Sequence, residues 1–257
     1  MEKKINNWKL WEKNLGYGQM LYQRATGKLK EMESARALSE ILSLFYKPKM
    51  KVLDVGCGAG HYLRSLRLRL DKNIDYTGVD STKYYIKLAK KAFGKNQKFF
   101  FGDILNLKFK DNAFDVVICN NVILHLPPPP TKAISELIRV AKKYVVIRTI
   151  FGEINYIIKE VRNPNDIMKN PQKGKKILIA QNGEPLLYNF FNMYTEQYFK
   201  DIITEINKNI EIKIIKDNEF TQFDNRKLGG KSATRIMDGR QVSGNFLLDW
   251  RFIILKK

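Results

Sequence analysis

The stretch "VLDVGCGAG", Val52 to Gly60, sets one aspartate among apolar residues and then places glycines at 56, 58 and 60. A buried strand running into such a turn yields backbone that reverses sharply and that a ligand can touch without meeting a Cβ. A helix starting near Gly60 would add unpaired N–H groups and a positive partial charge, which suit a carboxylate or a phosphate. Further polar residues follow at the ends of the next apolar runs. Asp80 closes "IDYTGVD", where its carboxylate would accept from both hydroxyls of a ribose. Asp103, in "FGD", would accept from an adenine amino group, and "ICNN", Ile118 to Asn121, brings amides to the same edge. Ligands of open α/β sheets bind at the carboxyl ends of the strands. Together these groups suit a nucleoside that carries an amino-acid tail.

Dinucleotide sites show a related pattern, G-x-G-x-x-G. Here the sixth position counted from Gly56 is His61, so the spacing is G-x-G-x-G. A nicotinamide dehydrogenase stays open as an alternative, because ribose recognition by a residue such as Asp80 is shared. Asp54, Asp80 and Asp103 also have plain structural readings, as helix caps or turn residues.

The elements that must position these groups follow from periodicity. Residues 1–47 read as largely helical, with Trp8, Trp11, Leu15 and Tyr22 on one amphipathic face, a break near Gly16 and Gly18, and a second helix over 28–45 before Pro48. Strand and helix patterns then alternate: "MKVLDVG", "IDYTGVD", "QKFFFGD", "FDVVICN", "KYVVIRTI", "NIEIKIIK" and "NFLLDWRFIILKK" read as seven strands. That alternation predicts an α/β fold with a doubly wound, mostly parallel sheet. The expected organisation is an N-terminal helical cap or lid over 1–47 and a ligand-binding domain over 48–257. Insertions over 151–193 and 217–244, after strands 5 and 6, would shape an acceptor site.

The 257 residues suffice for one substantial core. No window approaches the ~18 consecutive apolar residues of a membrane span, and the N-terminus has no apolar core of a secretory signal; a cytoplasmic protein is expected. Cys57 and Cys119 end strands and read as reduced, buried residues without metal-ligand spacing. The formal net charge of +20 raises nucleic acid as a partner, but the excess is mostly lysine spread along the chain. Basic residues do cluster at Arg162, Lys169, Lys173, Lys175 and Lys176, and again at Arg226, Lys227, Lys231, Arg235 and Arg240.

From about Met50 to Ile150, with the closing strands, the chain resembles the class I S-adenosylmethionine-dependent methyltransferases, in particular their small-molecule branch. "LDVGCGAG", Asp80, Asp103 and "FDVVICNNVILHLP" carry the resemblance. It implies a Rossmann-like fold and S-adenosyl-L-methionine as cofactor, with S-adenosyl-L-homocysteine as product. It implies that Gly56, Cys57 and Gly58 line the methionine end, with Asp54 beneath them. Asp80 would hold the ribose, Ser81 would lie beside the adenine, and Asp103 and Ile104 would take the adenine edge and face. Asn120 would hold the methionine amino group. The N-terminal segment would act as a lid, with Tyr17, Tyr22 or Arg24 reaching the site.

Transfer from a sulfonium is an in-line displacement that depends chiefly on positioning and exclusion of water. An amine acceptor need only be neutral, whereas a hydroxyl benefits from a base. His125, in "ILHLPPPP", is the candidate base, with a structural polar group as its alternative. His61 is expected to orient rather than react, and Pro127 to Pro130 to form a stiff connector. Enzymes that methylate exocyclic base amines show D/N-P-P-Y/F where this chain has "NNVI", and Cys119 does not follow a proline as cytosine-C5 nucleophiles do. The expectation is N- or O-methylation of a small metabolite, phosphorylated or carboxylated if the basic clusters overhang the site. RNA or protein methylation, and a silent S-adenosylmethionine-binding module, are the alternatives.

Overall fold

The computed structural model describes residues 11, 14–161, 179–217, 235–237, 239–243 and 245–257. Helices α1 (Leu15–Ala25) and α2 (Glu33–Ser43) precede β1 (Lys51–Val55), α3 (His61–Arg69), β2 (Asp75–Asp80), α4 (Lys83–Phe93) and β3 (Lys98–Phe101). Then come β4 (Phe114–Asn120), α5 (Thr131–Val140) and β5 (Ala141–Phe151). The later elements are β6 (Lys159–Val161), β7 (Tyr188–Phe190), α6 (Glu196–Ile206), β8 (Glu211–Lys216), β9 (Arg235–Met237), β10 (Arg240–Ser243) and β11 (Phe246–Lys256).

The first five strands of the main sheet lie in the order β3-β2-β1-β4-β5, all parallel. The strand order reverses between β1 and β4, which opens a crevice at their carboxyl ends. β11 runs antiparallel to β5, with Asp249 opposite Phe151 and Lys256 opposite Tyr144. Its outer edge is shared: the second half pairs with β8, and the first half, Phe246 to Leu248, pairs with β10. The start of β11 therefore stands beyond the carboxyl edge of the parallel strands, and β10 and β9 extend the sheet there.

Side chains alternate between the two faces, as the pleat requires. Val116 and Ile118 of β4 pack with Leu38 and Leu42 of α2 and Leu63 and Leu66 of α3. Val117 and Cys119 face the opposite layer, with Ile134 and Leu137 of α5 and Phe199 and Ile203 of α6. The α/β fold and mostly parallel sheet match the sequence expectation. The strand count differs: the main sheet has nine strands among the described residues, because part of the 217–244 stretch, expected to be a loop, forms β9 and β10. These strands are only three and four residues long and lack an alternating apolar run, so they leave little periodic signal.

The N-terminal expectation is corrected in detail. Gly16 and Gly18 lie inside α1 and do not break it. A Cβ on Gly18 would come 2.6 Å from Tyr85 Cε1, so this glycine serves close packing against α4. The described buried face of α1 is Gly18, Leu21 and Ala25, whereas Leu15 is exposed; Trp8 lies outside the described residues. The second helix begins later than expected, at Glu33, after a reversal containing Gly27 at φ +78°. Both α2 and the sheet contribute to one core layer, so the cap region is partly continuous with the main fold. In the 151–193 stretch, β6 and β7 form a separate antiparallel ribbon. Pro130 stands at the cap position of α5, where a missing N–H is harmless. Among the described residues no helix is long and apolar enough to cross a membrane.

Candidate cofactor and acceptor site

A cleft of about 290 Å³ lies at the carboxyl ends of β1, β2 and β4, under α1. Its floor is the glycine turn. Gly56 has φ +82° and a Cβ there would lie 2.3 Å from Val122 Cγ2; Gly58 has φ +56° and a Cβ would meet Leu21 Cδ1 at 2.8 Å. Both positions combine left-handed backbone with tight surroundings, which only glycine meets without strain. The N–H groups of Gly56 and Cys57 both donate to Val79 O, at 2.8 and 3.1 Å. Gly58 N–H donates to Asp80 Oδ2 at 2.9 Å. The turn thus gives a ligand room, while these three donors serve the fold.

Asp80 is buried and lines the cleft, and its other oxygen accepts from Thr82 N at 2.7 Å. Burial raises its carboxyl above the ordinary carboxylate range, against the opposing pull of the Thr82 and Gly58 N–H groups. Ser81, Asp103 and Ile104 line the same end of the cleft. Asp103 Oδ1 also accepts from Leu105 N at 3.0 Å, so this residue shapes its turn as well as the cleft.

Asp54 and Cys57 are not among the residues lining the cleft. Asp54 shares a sheet face with Tyr76, whose hydroxyl donates to Asp54 Oδ2 at 2.5 Å. Burial pushes the Asp54 carboxyl up to about 7, Tyr76 opposing and the Asp80 charge adding. The Cys57 sulfur packs on β2, 2.8 Å from where a Cβ on Gly78 would stand. Burial raises its thiol well above the usual range, and does the same to Cys119, so neither is prepared as a nucleophile.

At the far side of the turn, polar atoms are buried without hydrogen-bond partners. They are both polar atoms of the Asn120 side chain, His61 Nδ1, and Nε and Nη1 of Arg24. Such atoms are few in folded proteins and point to a missing ligand or water. Burial, with the Arg24 charge adding, pushes His61 down to about 3, so it is neutral near pH 7. Asn120 and His61 line the cleft, together with Tyr17 and Leu21 of α1. Tyr22 and Arg24 do not: Tyr22 turns toward α4, with Lys91 Nζ 5.4 Å from its ring centroid, and Arg24 stands behind the lining, its charge acting on Tyr17 and His61. Tyr17 is thus the α1 tyrosine on the cleft.

The cleft continues past Asn120 to Leu124, His125, Phe191, Gln241, Leu248 and Trp250. His125 Nδ1 is 2.9 Å from Phe190 O. A carbonyl only accepts, so Nδ1 carries a proton and donates to it. Trp11 stands edge-on to His125, centroids 4.9 Å apart. Beneath this end, Arg148 donates to Asp217 Oδ2 at 2.6 Å and to Asn121 Oδ1 at 2.7 Å, with its guanidinium 4.1 Å from the Trp250 ring centroid. Sequence reasoning missed Thr82, Phe191, Gln241 and Trp250. Trp250 was within reach, since antiparallel pairing of the last strand with "KYVVIRTI" brings it opposite Ile150 at the carboxyl edge. Of the two basic clusters, 162–176 and most of 226–240 lie outside the described residues; Arg240 is exposed and does not line the cleft.

A model of the methyltransferase-domain family matches residues 46–217. The sterol 24-C-methyltransferase ERG6B of Gibberella zeae is 31% identical over 126 residues, covering 47% of this chain and 31% of that protein. An uncharacterized protein of Methanocaldococcus jannaschii is 33% identical over 136 residues, 52% of this chain and 56% of its own. The chain thus spans less than a third of the sterol methyltransferase and little over half of the archaeal protein. Among solved structures, an S-adenosylmethionine-dependent methyltransferase of Thermotoga maritima, described as a possible histamine N-methyltransferase, aligns with TM-score 0.53 at 16% identity, covering 97% of this chain and 99% of that one. Magnesium protoporphyrin IX methyltransferase of Synechocystis, with bound S-adenosylhomocysteine, aligns with TM-score 0.51 at 15% identity, covering 100% and 90%. These two likenesses speak for the fold, and the family match spans well over half of the sequence. The chain belongs to the methyltransferase-domain family, within the class I S-adenosylmethionine-dependent methyltransferase superfamily.

Proposed function

We propose that this protein transfers the methyl group of S-adenosylmethionine to a nitrogen or oxygen of a small molecule. The observation that carries the reading is the group of buried, unpartnered polar atoms on Asn120, His61 and Arg24 beside a glycine turn that leaves room for a ligand. Each such atom costs about 1–3 kcal/mol when left unsatisfied. An amino-acid tail would satisfy them: Arg24 would hold its carboxylate and Asn120 its amino group. Asp80 would accept from the ribose hydroxyls, with Ser81, Asp103 and Ile104 around the adenine. Gly56, Cys57 and Gly58 would border the tail through backbone, and Asp54 would support that turn from below. Tyr22, facing α4, would act only through the placement of α1.

When bound, S-adenosylmethionine supplies an activated methyl that passes in line to the acceptor's lone pair as the carbon–sulfur bond breaks. The chain's own part is to orient and to exclude water, which the aromatic lining of Tyr17, Trp11 and Trp250 favours. His125 would serve as the base toward a hydroxyl acceptor; a neutral amine needs no base for attack. Labelled S-adenosylmethionine, incubated with the protein and a size-fractionated extract with and without nuclease, tests the proposal. Label in the small-molecule fraction supports it. Nuclease-sensitive label in the large fraction overturns it in favour of a nucleic-acid acceptor, and cofactor binding without transfer to any fraction favours a silent module.

A further inference from the structure

The half of the cleft beyond Asn120 differs in chemistry from the nucleoside end. Among the described lining residues the only carboxylates are Asp80 and Asp103, both at the nucleoside end, and none is a lysine or arginine. The far end is walled by Leu124, Phe191, Leu248 and Trp250, with His125, Gln241 and Ser243 as polar points. A phosphate placed there would lose its hydration with no lysine or arginine of the described lining to replace it.

Two contacts fix the orientation of the polar point at Gln241. Trp250 is stacked on Arg148, whose charge is matched by Asp217; the side chains of that pair are each buried to 1% exposure. The ring is therefore held from one face by a group that is itself held. The indole N–H of Trp250 donates to Gln241 Oε1 at 3.0 Å. Indole N–H is a donor only, so the carboxamide oxygen must face it, which turns the Gln241 NH₂ away from the indole as the donor it can present to a ligand.

We infer that the acceptor is a planar, largely apolar aromatic molecule that carries a hydrogen-bond-accepting atom read by the Gln241 NH₂. Aromatic walls favour flat rings, through stacked or edge-on contacts beyond simple burial. The chain Asp217–Arg148–Trp250–Gln241 makes Arg148 a positioning residue for this end of the cleft. The inference rests on the methyltransferase reading, because it takes the far half of the cleft as the acceptor's place.

The test uses the full chain saturated with S-adenosylhomocysteine and three probes followed by ligand-observed NMR titration: 1-indanone, indane and glucose 6-phosphate. Indanone should bind more tightly than indane by about three- to ten-fold, the range of one net hydrogen bond, and glucose 6-phosphate should not displace it. Gln241→Glu keeps an oxygen for Trp250 but removes the NH₂ donor, so it should abolish the preference for indanone while leaving indane unchanged. Trp250→Leu should weaken both ring probes. Tighter binding of glucose 6-phosphate than of either ring, or a preference that survives Gln241→Glu, would overturn the inference. Failure of S-adenosylhomocysteine itself to bind would instead remove the methyltransferase reading on which it rests.

Discussion

Asp80 accepts the backbone N–H of Gly58 at 2.9 Å, so the end of β2 holds the glycine turn of β1 in shape across 22 residues of sequence. The same carboxylate takes the Thr82 N–H with its second oxygen. The structural and the ligand-binding readings of this residue are therefore compatible: a carboxylate has about four lone-pair sites, and two of them serve the backbone. What the clamp adds is order, because it fixes the acid that the ribose would meet before any ligand arrives.

Asp80→Ala should weaken S-adenosylhomocysteine binding by roughly 1.5–3 kcal/mol for each charge-assisted hydrogen bond lost, about ten- to 150-fold per bond. Isothermal titration calorimetry on a variant whose circular dichroism matches the parent reads this directly. Parent-like affinity would take Asp80 out of the cofactor site.

The carboxylate assignment of Arg24 separates from the rest of the cofactor by choice of ligand. Arg24→Met should lower affinity for S-adenosylhomocysteine about ten-fold or more, yet leave 5′-methylthioadenosine, which lacks the amino-acid tail, little changed. Equal loss for both ligands would mean that Arg24 supports α1 and does not read the tail.

Much of this was legible in the sequence, and the parts that were not have physical reasons. The alternation of strands and helices carried the parallel sheet because each element had to bury a face, and burial leaves a period. Asp80 and Asn120 were found because each closes such a strand, and Asp103 because it follows one by two residues, and the structure brings all three to one cleft. Hydrogen-bond destinations leave no such trace: nothing in "GCG" tells that two of its N–H groups converge on Val79 O. Nor does the sequence tell that Asp54 faces Tyr76, until the parallel register of β1 and β2 is known. The far end of the cleft was hardest to read, since Gln241 and Trp250 come together only through β11 pairing back along β5 and β10, and Phe191 joins them from the segment after β7.

Asp54 gives a pH prediction with a definite sign. Its carboxyl is raised to about 7 in the fold against an ordinary 3.8. Between those values the native state holds a proton that the unfolded chain has lost, so this residue's contribution to stability falls as pH rises from about 4 to about 7. Asp54→Asn mimics the neutral form and should flatten that decline, gaining on the parent as pH increases. Urea unfolding at pH 5 and pH 8 measures it. Asp80, raised in the same direction, leaves a residual slope; a variant with the parent's full pH dependence would show that Asp54 is ionised in the fold.

The buried pair under Trp250 predicts an asymmetry between single and double substitution. The side chains of Arg148 and Asp217 are each 1% exposed and meet at 2.6 Å. Replacing Asp217 alone by leucine strands the guanidinium in the core and should cost about 3–5 kcal/mol. Combining it with Arg148→Met removes the stranded charge, so the double variant should recover a large part of that loss. Recovery should stay incomplete, because Asn121 Oδ1 and the Trp250 ring also lose their contacts with Arg148. Chemical denaturation of the two single variants and the double variant closes the cycle. If the two single losses simply add, the pair is not coupled, and Arg148 is held by its other partners instead of by Asp217.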